Sequence, residues 1–109
     1  MAELEQIFFI LIENAVQAAN LVGSGKLGIS ISRNGDMIEM VFADSCGGIE
    51  EENVERIFEP FFTTKPLGKG TGLGLCVLQR IVKKYGGTLR LDNHPPKGAI
   101  FIISLPSQN

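Results

Sequence analysis

The sequence predicts an α/β two-layer sandwich in which a mainly antiparallel, mixed sheet carries about three helices on one face. Two long segments repeat apolar residues every three or four positions, as buried helices do. Four shorter segments have the alternation or the β-branched content of strands, and they occur as two pairs with short connections. Short connections favour antiparallel pairing, so a sheet built from two hairpins is expected.

The first helix is expected from residue 3 to about residue 21. Its apolar residues lie on one stripe and are Leu4, Ile7, Phe8, Leu11, Ala15, Ala18 and Val22. Gly23 and Gly25 end this helix, because glycine is a poor helix former.

The first hairpin follows directly. Residues 27–32 alternate apolar with small side chains, which is the pattern of a half-buried strand. Asn34 and Gly35 tolerate the positive φ of a tight turn, so a second strand from residue 37 to about residue 43 should pair antiparallel with the first.

The second half of the chain should hold a short helix near residues 51–57 and then a glycine-rich segment that lasts until about Gly72. Strands at residues 88–91 and 99–105 form a closing hairpin around a loop at residues 93–96. The apolar residues of the helix before this hairpin are Leu75, Leu78, Ile81, Val82 and Tyr85, and Gly86-Gly87 ends it.

Composition limits the function. A chain of 109 residues with 44% hydrophobic residues suits one domain, and a net charge of -2 gives no basic field for nucleic acid. The longest apolar run, residues 7–12, is shorter than the roughly 20 residues that span a bilayer, so no direct membrane contact is expected. Cys46 and Cys76 lack zinc-site or disulfide spacing, which fits a cytoplasmic location.

Asn14 and Asp44 are candidate binding residues. Asn14 falls on the helix stripe, where its amide needs a partner: either a magnesium ion or a nearby backbone group. Asp44 ends a strand before a glycine loop, where it either accepts a hydrogen bond from an amine such as adenine N6 or forms an ordinary turn.

The segment Gly70-Thr71-Gly72-Leu73-Gly74-Leu75 opens a helix, so its backbone N–H groups can receive phosphate oxygens, although a flexible hinge has the same composition. It is neither a Walker A motif nor a dinucleotide-binding fingerprint. Lys65 and Lys69 flank it as phosphate contacts or as solvated side chains.

Two other features are interpreted as structural rather than as a catalytic or nucleic-acid-binding site. His94, the sole histidine, is interpreted as a surface loop residue rather than as part of a catalytic triad. Phe58, Phe61 and Phe62 lie among carboxylates, which disfavours stacking on nucleic-acid bases and favours a role in pinning the loop to the core.

Together and in this order, four motifs resemble the catalytic, ATP-binding domain of sensor histidine kinases, a branch of the Bergerat-fold superfamily of ATPases and kinases. Residues 13–15 look like its N box, residues 44–48 like its G1 box, residues 57–65 like its F box and residues 70–75 like its G2 box. The last two are the most specific. The resemblance covers nearly all of residues 1–109 and implies a single catalytic domain detached from the histidine-bearing helices.

The resemblance also implies roles. Asn14 would hold Mg²⁺, Asp44 would bond the adenine amine, and the G2 backbone would cradle the phosphates of ATP beneath a lid. The histidine that accepts the phosphoryl group would belong to a separate dimerisation domain, with a response regulator downstream. The implied ATP-binding residues are Asn14, Asp44, Gly48, Ile49, Phe61, Thr63, Thr64, Lys65, Lys69, Gly70, Thr71, Gly72, Leu73, Gly74 and Leu75.

Three positions depart from the pattern of the family. Ile10 stands where histidine kinases have an asparagine and related ATPases a catalytic glutamate, Cys46 replaces the first glycine of the G1 box, and Gln17 replaces a basic residue. They motivate an alternative, a nucleotide-binding regulatory module with the same fold and weak or no kinase activity. A serine kinase of the anti-sigma-factor type shares the fold, but residues 61–65 point away from it.

Overall fold

The structure, a computed structural model, describes residues 2–23, 25–45, 48–49, 51–59, 74–94 and 97–106. It confirms the predicted α/β sandwich. The elements in chain order are helix α1 (Ala2–Val22), strands β1 (Leu27–Asn34) and β2 (Met37–Asp44), a 3-10 turn (Glu51–Asn53), helix α2 (Gly74–Lys84), and strands β3 (Thr88–His94) and β4 (Gly98–Pro106). Among these residues, no helix is long and apolar enough to cross a membrane.

Four strands form one sheet in the order β1-β2-β4-β3, and every described pair is antiparallel. Both predicted hairpins are confirmed. The turn of the first is closed by Gly35, whose φ of 62° suits a residue without a Cβ. The central pairing of β2 with β4, which sets Phe42 opposite Phe101, joins the two hairpins into one sheet.

Residues directly opposite each other in these pairs lie on the same face of the sheet. One face carries the apolar row Ile29–Phe42–Phe101–Leu91 and is covered by the helices. The next row along this face ends the sheet and reads Leu27–Asp44–Ala99–Asn93. The other face, which carries no described helix, has the row Gly28–Ala43–Ile100–Asp92.

The core lies between the helices and the covered face. From α1, Ile7 is 1% exposed, and the ring of Phe8 packs edge-on against Phe42 with 5.3 Å between ring centroids. From α2, Leu78 and Val82 are fully buried. The helix stripes predicted from the sequence therefore face the sheet.

Three predicted boundaries differ clearly from the structure. Strand β1 continues past residue 32 to Asn34, which pairs with Met37, so the prediction that Asn34 lies in the turn was wrong and the two turn residues are Gly35 and Asp36. The short helix near residues 51–57 is present as the 3-10 turn and a series of turns that buries Ile57. The closing hairpin is longer than predicted, because Asn93 pairs with Ala99 and His94 with Gly98. Asn93 and His94 are thus strand residues, so the interpretation of His94 as a loop residue was wrong, although its side chain is exposed.

Candidate functional site

Asp44 is the last residue of β2 and is half-buried on the helix-covered face. Its neighbours in the row are Leu27 on one side and Ala99 on the other. Strand β4 approaches closely here, since a Cβ added to Gly98 would lie 1.9 Å from the carbonyl oxygen of Asp44. The sheet therefore fixes the backbone of Asp44 at the end where regular pairing stops.

The chain beyond Asp44 is held at two points. Ser45 donates its N–H to the carbonyl of Lys26 at 3.0 Å, and its Oγ accepts the N–H of Lys26 at 2.9 Å. Gly48 has a φ of 73°, a left-handed conformation that favours glycine. Ile49 is then bonded through both its backbone groups to the side chain of Asn93.

Asn14 lies half-buried on α1, one turn after Ile10. Helix α2 begins beside that turn, because a Cβ added to Gly74 would lie 3.4 Å from Cγ2 of Ile10. The N-terminus of α2, whose first backbone N–H groups have no partner within the helix and which carries the positive end of the helix dipole, therefore lies near the turn that carries Asn14. An anion bound at this end would meet both elements.

A second contact joins the same two helices, between the start of α1 and the end of α2. The carboxylate of Glu3 on α1 accepts hydrogen bonds from Lys84 Nζ, at 3.0 and 3.2 Å, and from the hydroxyl of Tyr85. The hydrogen bond from Tyr85, and after it the ammonium of Lys84, lowers the pKa of Glu3. Helices α1 and α2 are thus joined both at Ile10–Gly74 and at the Glu3 cluster.

The described side chains near the α1–α2 junction are too few to hold a metal ion by themselves, but they suit Mg²⁺ that binds together with phosphate. Among the described residues, no group of three or more His, Cys, Asp or Glu side chains is arranged to hold an ion. Asn14, half-buried one turn after Ile10, carries an amide oxygen, which is a donor that Mg²⁺ accepts. Mg²⁺ takes one or two protein ligands and completes its shell with phosphate oxygens and water, so this donor set fits magnesium bound together with a phosphate chain.

The predicted site residues fall into two groups. Asn14, Asp44, Gly48, Ile49, Gly74 and Leu75 lie within the described residues, and Leu75 is half-buried against the core. The predictions for Phe61, Thr63, Thr64, Lys65, Lys69, Gly70, Thr71, Gly72 and Leu73, and for Cys46, lie outside the described residues.

A cavity of about 320 Å³ lies at the same end of the sheet. It is lined by Gly28, Ala43 and Ile100, which share the row on the open face, and also by Lys26, Asp44, Ser45, His94, Lys97 and Gly98. The row of Asp44 and the α1–α2 junction face the helices instead. Asp44 nevertheless borders the cavity, and among the described residues it is the one predicted site residue that does so.

Asn93 binds the segment that follows Asp44, and the sequence analysis does not include it among the candidate residues because it assigns Asn93 to the hairpin loop. The available signal was weak: asparagine is depleted in strands, so its presence at a strand end hints at a side-chain role. Only its contact with Ile49, 44 residues away in the chain, makes that role visible.

Comparison with known proteins identifies the class. Residues 2–109 match the family model described as histidine kinase-, DNA gyrase B- and HSP90-like ATPase, and the chain belongs to this family. It is 40% identical over 106 residues to sporulation kinase A of Bacillus subtilis (strain 168), covering 97% of this chain and 17% of that protein. It is 38% identical over 104 residues to the sensor histidine kinase ZraS of Escherichia coli (strain K12), covering 94% of this chain and 21% of that protein.

Solved structures agree. The catalytic domain of histidine kinase ThkA superposes with a TM-score of 0.82 at 32% identity, covering 99% of this chain and 69% of that one. Full-length ShkA in complex with AMPPNP superposes with a TM-score of 0.81 at 28% identity, covering 94% of this chain and 21% of that one.

These likenesses confirm the resemblance to the ATP-binding catalytic domain of sensor histidine kinases. A domain of this family has a nucleotide as its substrate. The relatives named above are kinases, which favours the kinase hypothesis over a purely regulatory module. The chain spans about a fifth of the length of these two curated relatives.

Proposed function

We propose that this chain is the catalytic part of a two-component sensor histidine kinase and transfers the γ-phosphoryl group of ATP to a histidine on a separate dimerisation domain. The observation that carries the proposal is the junction of α1 and α2. It sets the end of the G2 motif, at Gly74, beside the helical turn that bears Asn14. A phosphate chain and its magnesium ion need these two features together.

The base side of the site is assigned to the end of β2. Asp44 would accept a hydrogen bond from the exocyclic amine of adenine, and Gly48 and Ile49 would border the base. A carboxylate is a suitable acceptor here because a charge-assisted hydrogen bond is stronger than a neutral one. The position of Asp44 supports the assignment, because pairing with Leu27 and Ala99 fixes its backbone at the end of β2 while its side chain stays half-buried.

The phosphate side is assigned to α1 and α2. The amide oxygen of Asn14 would bind Mg²⁺, which supplies charge neutralisation to the phosphate oxygens when bound. The backbone N–H groups of Gly74 and Leu75 would receive phosphate oxygens together with those of residues 70–73. Lys65, Lys69 and the rest of residues 61–65 would contribute from the lid.

Phosphoryl transfer asks a protein mainly for positioning and charge neutralisation. This chain would orient the triphosphate, and the acceptor nitrogen would come from the histidine-bearing domain. Ile10 offers no group that could take a proton from water, and its side chain lies beside the start of α2. We therefore expect transfer to the histidine without appreciable intrinsic hydrolysis of ATP.

A response regulator is the proposed downstream partner, and a cytoplasmic location is proposed for this domain. The sensor that carries it would be either soluble or membrane-anchored. ShkA, solved with AMPPNP, supports a triphosphate ligand for this fold.

Calorimetric titration with ADP and with AMPPNP, each with and without Mg²⁺, tests the proposal. Asp44→Asn should weaken ADP about 10- to 100-fold, as expected for a lost charge-assisted hydrogen bond of about 1.5–3 kcal/mol. Its control is Asp92→Asn, an exposed carboxylate in the open-face row. A folded wild-type chain that binds neither nucleotide would refute the proposal.

Asn14→Ala should remove most of the gain that Mg²⁺ gives to AMPPNP binding while leaving the affinity for ADP without metal unchanged. Asn20→Ala, an exposed asparagine on the same helix, is the matched control. Addition of the histidine-bearing domain with labelled ATP should then give labelled phosphohistidine. Nucleotide binding with no transfer would favour the regulatory module.

A further inference from the structure

The side chain of Asn93 makes two hydrogen bonds to the backbone of the loop after β2, as a neighbouring strand would. Its Oδ1 accepts the N–H of Ile49 at 2.8 Å, and its Nδ2 donates to the carbonyl of Ile49 at 2.5 Å. Both backbone groups of one loop residue are thus satisfied by one amide. The contact is half-buried, so loss of either bond would leave a polar group poorly solvated.

The register places this contact at the candidate site. Asn93 shares a row and a face with Asp44, with Ala99 of β4 between them. Since neighbouring strands are about 4.8 Å apart, the two residues lie about 10 Å apart across the row. Asn93 and Asp44 therefore mark two sides of the end of the covered face, and Ile49, five residues after Asp44, is bonded to Asn93.

The two hydrogen bonds of Asn93 hold the backbone of Ile49 in place and are not part of the backbone hydrogen bonding between the strands. The backbone turns at Gly48, with its φ of 73°, just before it meets Asn93. A glycine can adopt many backbone conformations, so a single conformation at Gly48 requires hydrogen bonds to the residue that follows it. Asn93 provides those hydrogen bonds from a strand whose own register is set by β4.

We infer that Asn93 is a positioning residue for the base side of the nucleotide site, acting through Ile49 rather than by touching the nucleotide. The inference rests on the proposed function, because Ile49 and Asp44 are assigned there to adenine. It predicts that Asn93 controls affinity for the base and has no part in the binding of metal and phosphate at the α1–α2 junction.

Asn93→Ala removes both bonds. The loop then samples other shapes, and the apparent Kd rises in inverse proportion to the fraction of molecules that keep the binding-competent one. We expect about tenfold weaker binding of ADP measured without metal. The gain in AMPPNP affinity on addition of Mg²⁺ should stay as in the wild type.

Hydrogen exchange gives a readout independent of nucleotide. The amide of Ile49 should exchange at least about tenfold faster in Asn93→Ala, whereas the amides of Met40 and Ile103 in the central strands should keep their protection. Arg90→Ala, an exposed residue on the open face of the same strand, is the matched control and should change neither measurement.

Asn93→Asp is a second variant of nearly the same size, for use if the alanine variant does not fold. It keeps an acceptor for the N–H of Ile49 but sets a carboxylate oxygen against the carbonyl, so ADP should again bind about tenfold more weakly.

The outcomes separate the two proposals. If the wild type binds ADP and a folded Asn93 variant binds it equally well, the inference is overturned and the proposed function stands. If ADP and the magnesium-dependent gain weaken together, Asn93 supports the fold in general and the inference is likewise overturned. If the folded wild type binds no nucleotide, both proposals fail.

Discussion

Gly98→Ala should destabilise the sheet at the end that carries Asp44. Gly98 is buried at the start of β4, and the three atoms nearest to a new Cβ all belong to backbone. The Cβ would lie 1.9 Å from the carbonyl oxygen of Asp44 and 3.0 Å from the Cα of Ser45. Backbone atoms cannot rotate away as a flexible side chain does, so the two strands must separate.

The magnitude follows from this distance. A carbon–oxygen contact normally closes to about 3.3 Å, so the strands must move apart by about 1.4 Å. A hydrogen bond lengthened by that amount is lost, and two ladder bonds are worth about 1–3 kcal/mol together. Overpacking adds about 1 kcal/mol or more. We expect a loss of about 2–4 kcal/mol in the free energy of unfolding, or about 8–16 °C in Tm at about 4 °C per kcal/mol.

Urea and thermal denaturation of the wild type, Gly98→Ala and Gly28→Ala measure the effect. Gly28 is the control, because its added Cβ would meet only the carbonyl oxygen of Ala43, at 3.9 Å. That variant should lie within about 1 kcal/mol of the wild type. The reasoning is refuted if Gly98→Ala is as stable as Gly28→Ala.

Acid stability should depend on Glu3. Its pKa is lowered from the ordinary value of 4.5, so its contribution is complete above that pH and is lost as the pH falls through the folded-state pKa. Glu3→Gln should therefore lose less stability than the wild type when urea unfolding is repeated from pH 6 to pH 3, and an equal loss would contradict the assignment; Glu5→Gln, on the same helix, is the control. In the core, Leu78→Ala should cost about 2–5 kcal/mol because Leu78 is 0% exposed, whereas Val16→Ala, at 52% exposed, should change stability by less than about 0.5 kcal/mol. Similar values for both by urea denaturation would contradict the described core.

The elements of the fold are predictable because their signals are local. The stripe of α1 contains Ile7 and Leu11, and the structure buries both. The Asn34-Gly35 pair predicts a hairpin locally, although the structure pairs Asn34 with Met37 and places the two-residue turn one position later, at Gly35-Asp36. Boundaries are less predictable: β3 extends to His94 because β4 offers partners there, which no local pattern records.

The candidate site is divided in the same way. The motifs identify Asp44 and Asn14 by residue type and order along the chain. They do not show that Ile10 lies beside Gly74, 64 positions away in the chain. The sequence pattern also assigns Asn93 to a loop. A side chain that hydrogen-bonds a distant backbone gives no periodic signal in its own segment, so the contact with Ile49 is not predictable from the sequence.

By itself, the sequence determined the helices, the two hairpins, the family and the residue types that suit a nucleotide. Only the tertiary structure decided that β2 pairs with β4, which brings Asp44, Ala99 and Asn93 into one row. The physical reason is the distance along the chain between the residues that interact. A turn is stabilised by neighbours in the chain, whereas the pairing of strands more than 50 residues apart must offset the entropy of closing a long loop, and does so only by burying residues such as Phe42 and Phe101 against the helices.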